Sequence, residues 1–236
     1  MIACVYALTP RRPTLPPLRG VAGERLRPVT SGGVTAIVGE LRRRRAPSRS
    51  TLVQYDRVIR TVATRLPSVL PARFGTCFDD LDELHHVLRS RQHTLRRSLA
   101  HIRNRSQMTV RIVGAGGASA AREASVAARA GEAAGARGAR KGTGRVGGRG
   151  TTYLRQRAAA AAREREIPGF DPVRAAVRRW IRDERVEKHP AIASVYHLVP
   201  RGSAEAYRQA VVRAASAAGL QVVVTGPWPP YAFAEM

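Results

Sequence analysis

The sequence predicts an α+β protein of two domains, an N-terminal ferredoxin-like variant with a long helix and a smaller C-terminal α+β domain. Three observations predict it. Short runs of β-branched and apolar residues, punctuated by Gly and Pro, open the chain and recur near its end, as strands require. Between them lie segments whose apolar residues step by three and four, the period of a helix with one buried face. One stretch, Gly114 to Gly150, has no Leu, Ile, Phe or Trp to bury and reads as a flexible basic insertion. The domains are therefore 1–113 and 151–236, with 114–150 between them.

Ile2 to Leu8 reads as a first strand, ended by Pro10 and the stretch around Pro13, Pro16 and Pro17. LRPVTSGGVTAIVGEL follows with two apolar runs around Ser31-Gly32-Gly33, a β-hairpin because Gly takes positive φ without strain. Arg42 to Arg45 form a basic run, most often a solvated loop and less often a phosphate clamp. From Ser50, which can cap it, Leu52, Tyr55, Val58, Ile59, Val62 and Leu66 mark a helix that must stop before Pro67. PSVLPARFGT then suits an inserted strand running into a turn at Gly75. Asp79 and Asp80 open the long helix, where unpaired N–H groups welcome carboxylates, and Leu81, Leu84, Leu88, Leu95, Leu99 and Ile102 continue it. From Asp80 to Ile102 it reaches about 35 Å. Met108 to Val113 reads as another strand, and the expected layering puts helices on one face of a mainly antiparallel sheet.

The C-terminal part reads as helix, helix, strand, helix, strand. TTYLRQRAAAAARERE is rich in helix formers and ends at Pro168-Gly169; Asp171-Pro172 restarts a helix with Val173, Val177, Trp180 and Ile181 on its apolar face. Ser194 to Val199 is a strand, and Ser203 caps a helix that Gly219 ends. Gln221 to Thr225 reads as a buried strand stopped by Gly226 and Pro227. Then come Trp228, Tyr231 and Phe233, spaced by Pro229 and Pro230. Each ring offers roughly 150–250 Å² of buriable surface, enough to offset ordering a short tail. The tail is either a staple that closes a core or an aromatic surface for a partner.

The 41 basic residues against 17 acidic ones leave a net charge of +24, which points to a polyanionic partner such as nucleic acid. All but two of the 41, Lys141 and Lys188, are Arg, a bias that GC-rich codons also produce. The few aromatics do not interleave with them as base-stacking platforms would. Cys4 and Cys77 imply neither a disulfide framework nor a metal site, and are expected as thiols in a reducing cytoplasm. The opening apolar run is too short for a signal peptide, and no segment reads as a membrane span. Gly142, Gly144 and Gly147 satisfy GxGxxG without a preceding strand, so no nucleotide cofactor is expected. The histidines lack the spacing of a metal pair on a helix, Asp79, Asp80, Asp82 and Glu83 are explained by a helix start, and no nucleophile has an identifiable base. Neither metal, cofactor nor enzymatic activity is expected.

LPARFGT (Leu70 to Thr76) and LQVVVTGPWPPYAF (Leu220 to Phe233) together resemble the GvpF/GvpL family of gas vesicle proteins. VYAL, VTAIVGE, DRVI, TVRI, GTTYL and VYHLV fall in the family's order, and only 114–149 lies outside it. The resemblance implies two α+β domains, the first ferredoxin-like. It also implies an accessory protein of gas vesicle assembly, located at the gas vesicle in the cytoplasm. Such proteins bind the small hydrophobic shell protein or other accessory proteins, and some remain as minor wall components. Tyr55 and Gln107 stand where relatives often carry His and Glu. A wall monomer must hide its water-repelling face until it polymerises, so a partner with complementary apolar surface would suppress aggregation. The expected partner surface is Arg73, Phe74 and Gly75 with Trp228, Tyr231 and Phe233, which either form it or brace it. The alternative is a basic nucleic-acid-binding protein.

Overall fold

The computed structural model describes residues 1–10, 13–14, 17–113 and 166–234. The expected helix from Thr151 lies almost wholly outside them, as do the insertion and its GxGxxG pattern. The expected domain boundaries at 113/114 and 150/151 adjoin or fall among those residues too. The described chain clusters into two compact units, Met1–Met108 with His197–Ala204 and Gly226–Met236, and Thr109–Tyr196 with Glu205–Thr225. The α+β class holds, with two antiparallel sheets.

The first sheet has the order β2-β3-β1-β4, where β1 is Ile2–Thr9, β2 Leu26–Ser31, β3 Val34–Leu41 and β4 Leu70–Pro71, and β5 (Cys77–Phe78) also pairs with β1. Gly32 and Gly33 turn the β2-β3 hairpin at φ of 58° and 73°, so the double glycine is required there. The β1-β3 register slips between Val5 and Ala7, a bulge that re-aims Tyr6. Both β1 and β3 are buried along nearly their whole length. The sheet is thus covered on both faces rather than one, because IACVYALT is apolar in both alternations of the strand.

Helix α1 (Arg49–Arg65) buries Tyr55, Val58, Ile59 and Val62 and packs on β1. Its cap is Ser48, not Ser50: the Ser48 hydroxyl accepts from the Thr51 N–H while the Thr51 hydroxyl accepts from the Ser48 N–H. The expected long helix is two segments, α2 (Leu81–Ser90) and α3 (Gln92–His101), with Arg91 at φ −102°, ψ 8°. The Ser90 hydroxyl donates to the Val87 carbonyl at 3.1 Å, a back-bond that bends helices. The backbone ladder nevertheless crosses the break, from Arg91 N to Val87 O and from Leu95 N to Arg91 O. Asp80 caps α2 by accepting from the Glu83 N–H at 2.8 Å, as the carboxylates at that helix start foretold.

Cys4 and Cys77 are joined by a disulfide, contrary to the expectation of two thiols. They are 73 positions apart in sequence but face each other as partners in the β1-β5 pairing, a proximity that spacing alone does not reveal.

The second sheet has the order β7-β8-β6-β9, with β6 Arg105–Val113, β7 Asp183–Lys188, β8 Ile192–Pro200 and β9 Val222–Trp228. Strand β7, DERVEK, is absent from the sequence reading: its charges suit an edge and hide the strand period. In the second unit α4 (Asp171–Val177) buries Val173 and Val177 but ends before Trp180 and Ile181, and Arg174 at 3.1 Å from Glu184 ties it to β7. Helix α5 (Ala204–Ala217) ends as expected, with Gly219 at φ 66°. Strand β9 differs from expectation twice. It continues through Gly226 and Pro227 to Trp228, and it is an edge strand on which Val223 is 52% exposed. An edge position tolerates the missing Pro N–H. Gly226 has φ of 119°, and a Cβ there would lie 2.7 Å from the Gln107 carbonyl oxygen, so only glycine fits.

Candidate functional site

The first unit carries an open groove of about 810 Å³ whose lining is mostly apolar. Helix α1 contributes Leu52, Tyr55 and Asp56, α2 contributes Leu84, Val87 and Leu88, and the strand ends and the tail add Phe78 and Tyr231. Leu52 belongs to the apolar periodicity of α1 yet is 45% exposed, because it faces the groove rather than the core.

One wall is the turn Arg73–Thr76, closed by the Thr76 N–H donating to the Arg73 carbonyl at 3.0 Å. Gly75 has φ of 84°, the left-handed conformation that such a turn demands. The turn is held from beneath by aromatics. The Tyr55 hydroxyl donates to the Ala72 carbonyl at 2.9 Å, Phe74 meets the Tyr55 ring edge-on at 5.2 Å, and Tyr6 lies 5.0 Å from Tyr55. Burial raises the Tyr55 phenol well above its ordinary value, which keeps it a neutral donor. Gln107, like Tyr55, has a backbone partner: its Oε1 accepts from the Ala232 N–H at 2.7 Å.

The tail supplies the other wall. The Tyr231 hydroxyl donates to Asp56 Oδ1 at 2.7 Å, and Asp56 Oδ2 accepts from Arg60 Nε at 2.5 Å. Arg60 in turn lies 4.1 Å over the Trp228 ring. Burial, and then the bond to Asp56, raises the Tyr231 phenol above its ordinary value. Phe233 is 4% exposed.

The structure therefore brings Arg73, Phe74 and Tyr231 to one groove, with Gly75 in its wall, and separates Trp228 and Phe233 from it. Trp228 lines a different cavity, and Phe233 is core. Leu52, Asp56 and Val87 join the site from α1 and α2, and sequence reasoning missed them. The one signal for Leu52 was its place at the start of the α1 stripe, where an apolar face can outrun the core it covers. Among the described residues no group of three or more His, Cys, Asp or Glu is placed to hold a metal, and no helix is long and apolar enough to cross a membrane.

The model of the family described as gas vesicle synthesis protein GvpL/GvpF matches residues 3–235. Among solved structures, the fold is similar to the crystal structure of gas vesicle protein GvpF from Microcystis aeruginosa. That match has a TM-score of 0.71 at 14% identity and covers 100% of this chain and 99% of that one. The gas vesicle protein GvpF from Anabaena sp. PCC7120 matches with a TM-score of 0.70 at 14% identity, over 100% and 98% of the two chains. Comparison with curated protein sequences finds no match. A match of the family model from the first strand to the end of the tail makes this chain a member of the GvpL/GvpF family of gas vesicle synthesis proteins.

Proposed function

We propose that this chain serves gas vesicle formation by holding an apolar segment of the small hydrophobic shell protein in the groove between α1 and α2. Family membership supports the role in gas vesicle formation, and the groove supports the manner. Its open lining of Leu52, Phe74, Phe78, Val87 and Tyr231 offers an assembly monomer an apolar surface that excludes water. In this reading Arg73, Phe74, Gly75 and Tyr231 form the contact, while Trp228 and Phe233 brace it. Apolar capture costs the chain little reorganisation, because the turn and the tail are already held by the bonds from Tyr55 and to Asp56.

Co-sedimentation with purified shell protein at low and high salt tests it. Retention is expected to persist in high salt and to fall at least about tenfold in Leu52→Glu and Val87→Glu, since a carboxylate cannot be desolvated cheaply against an apolar partner. Both positions are accessible enough to leave folding intact, which circular dichroism checks. Folded variants that bind normally would remove the groove from the mechanism. Capture of duplex DNA alone, lost as salt rises, would make the +24 charge the operative feature instead.

A further inference from the structure

Strand β3 pairs with β1 from Ile2 to Thr9, so β4 and β5 share the opposite edge of β1. Leu70-Pro71 lies opposite Leu8-Ala7, and Cys77-Phe78 opposite Cys4-Ala3. Between these two feet the chain arches outward, and Ala72, Arg73, Phe74 and Thr76 of the arch line the groove. The first foot is held by the Ala72 N–H donating to the Tyr6 carbonyl at 2.9 Å, and by the Tyr55 hydroxyl. The second has a two-residue pairing, the Val5 N–H donating to the Thr76 carbonyl at 2.9 Å, and the Cys4–Cys77 bond. Arg44 reaches the Cys77 carbonyl at 3.4 Å and Asp79 at 3.8 Å, contacts that are exposed and therefore weak. So short a strand opens at low cost, which leaves the disulfide as the strongest tie of this foot. Val5 beside Cys4 and Phe78 beside Cys77 line the groove, and α2, its other wall, packs on β5.

We propose that the Cys4–Cys77 pair is a redox switch of the groove. As a disulfide it clamps β5 to β1 and keeps the wall formed; as two thiols it releases β5 and slackens the wall. Its effect on partner capture rests on the groove being the partner site. A gas vesicle role places the chain in the cytoplasm, where dithiol reductants keep most thiols reduced and a disulfide is usually transient or redox-sensing. Cys4 is 7% exposed while Cys77 is half-buried, so the sulfur of Cys77 is the one an incoming thiolate meets. A dithiol of the thioredoxin class attacks there, the S–S bond breaks, and Cys4 leaves as a thiolate that takes up a proton. The reductant's second thiol then attacks the mixed disulfide, closes its own S–S bond and releases Cys77, also protonated. Two electrons and two protons pass to the pair, and the reductant is oxidised to its disulfide.

Hydrogen exchange read by mass spectrometry on the full chain, as the disulfide and after dithiothreitol without denaturant, tests the switch. The segment Thr76 to Phe78 is expected to exchange at least about tenfold faster in the dithiol form, with the β2-β3 hairpin unchanged. Cys4→Ser and Cys77→Ser should each show the fast pattern with or without dithiothreitol. Co-sedimentation with shell protein should fall about tenfold on reduction and recover on reoxidation with oxidised glutathione. A bond that yields to dithiothreitol only in denaturant, or equal exchange in both forms, would overturn the switch. Faster exchange throughout the first unit would overturn it too, because the bond would then be a general staple of the fold. Loosening of Thr76 to Phe78 on reduction, with shell protein retained by neither form, would uphold the switch of the wall and remove shell protein as the groove's partner.

Discussion

Asp56 takes two hydrogen bonds, from Tyr231 at 2.7 Å and from Arg60 at 2.5 Å, and through Arg60 it also steadies Trp228. One exposed-looking carboxylate on α1 thereby holds two of the tail's three aromatics, Tyr231 directly and Trp228 through Arg60. Tyr231→Phe removes a hydrogen bond to a charged acceptor while keeping the ring, and should cost about 1.5 kcal/mol of stability, read as a lower urea midpoint at unchanged slope. Asp56→Ala should cost more, because it leaves both the phenol and Arg60 without their acceptor. A Tyr231→Phe protein as stable as the parent would mean that packing alone holds the tail. The Asp56–Arg60 pair is a local i,i+4 helix pair. The Tyr231 partner was not legible in the sequence, since 175 positions separate it from Asp56 and no local pattern encodes the contact.

The elements read correctly from sequence are those whose signal is local. The Gly32-Gly33 hairpin, the α1 stripe, the Asp80 cap and the Gly219 stop each depend on residues within one or two turns of chain. Three of the misread features depend on distant neighbours. Strand β7 is specified by pairing with β8, β9 passes through Gly226-Pro227 because it lies at an edge, and the Cys4–Cys77 bond follows from β5 docking on β1. The site divides the same way: the turn at Gly75 was legible, whereas the contribution of α2 to the groove was not. The α1 cap allows a sharp test at this scale. Ser48 and Ser50 are near neighbours with the same side chain, yet only Ser48 closes the capping box with Thr51. Ser48→Ala should therefore lower stability by about 1 kcal/mol, and Ser50→Ala by no more than a few tenths. Paired chemical-denaturation curves decide it, and equal effects would move the cap from Ser48.

At the scale of the whole molecule, charge and burial pull stability in opposite directions as pH rises. Removing protons lowers a net charge of +24 and relaxes self-repulsion. Yet all but two of the 41 cations are Arg, and arginine as a residue type keeps its proton through this range, so little of that relief arrives. Burial acts the other way. Tyr6, Tyr55, Tyr207 and Tyr231 all have phenols raised above their ordinary value, in each case first by burial, with Glu24 adding to the effect on Tyr6 and Asp56 on Tyr231. A raised acid pKa means that the folded state holds the proton after the unfolded chain has released it. The stabilisation is therefore complete below the unfolded value near 10 and is lost as pH climbs from there towards the folded values. Stability should be flat with respect to these groups from neutrality to about pH 10, then fall by about 1.4 kcal/mol per pH unit for each tyrosine that remains protonated only in the folded state. Phenolate absorbance recorded alongside circular dichroism checks it. The signal of the buried tyrosines should appear together with loss of structure. Phenolate forming near pH 10 with the fold intact would show those rings to be open to water, and would remove the support they give the groove wall.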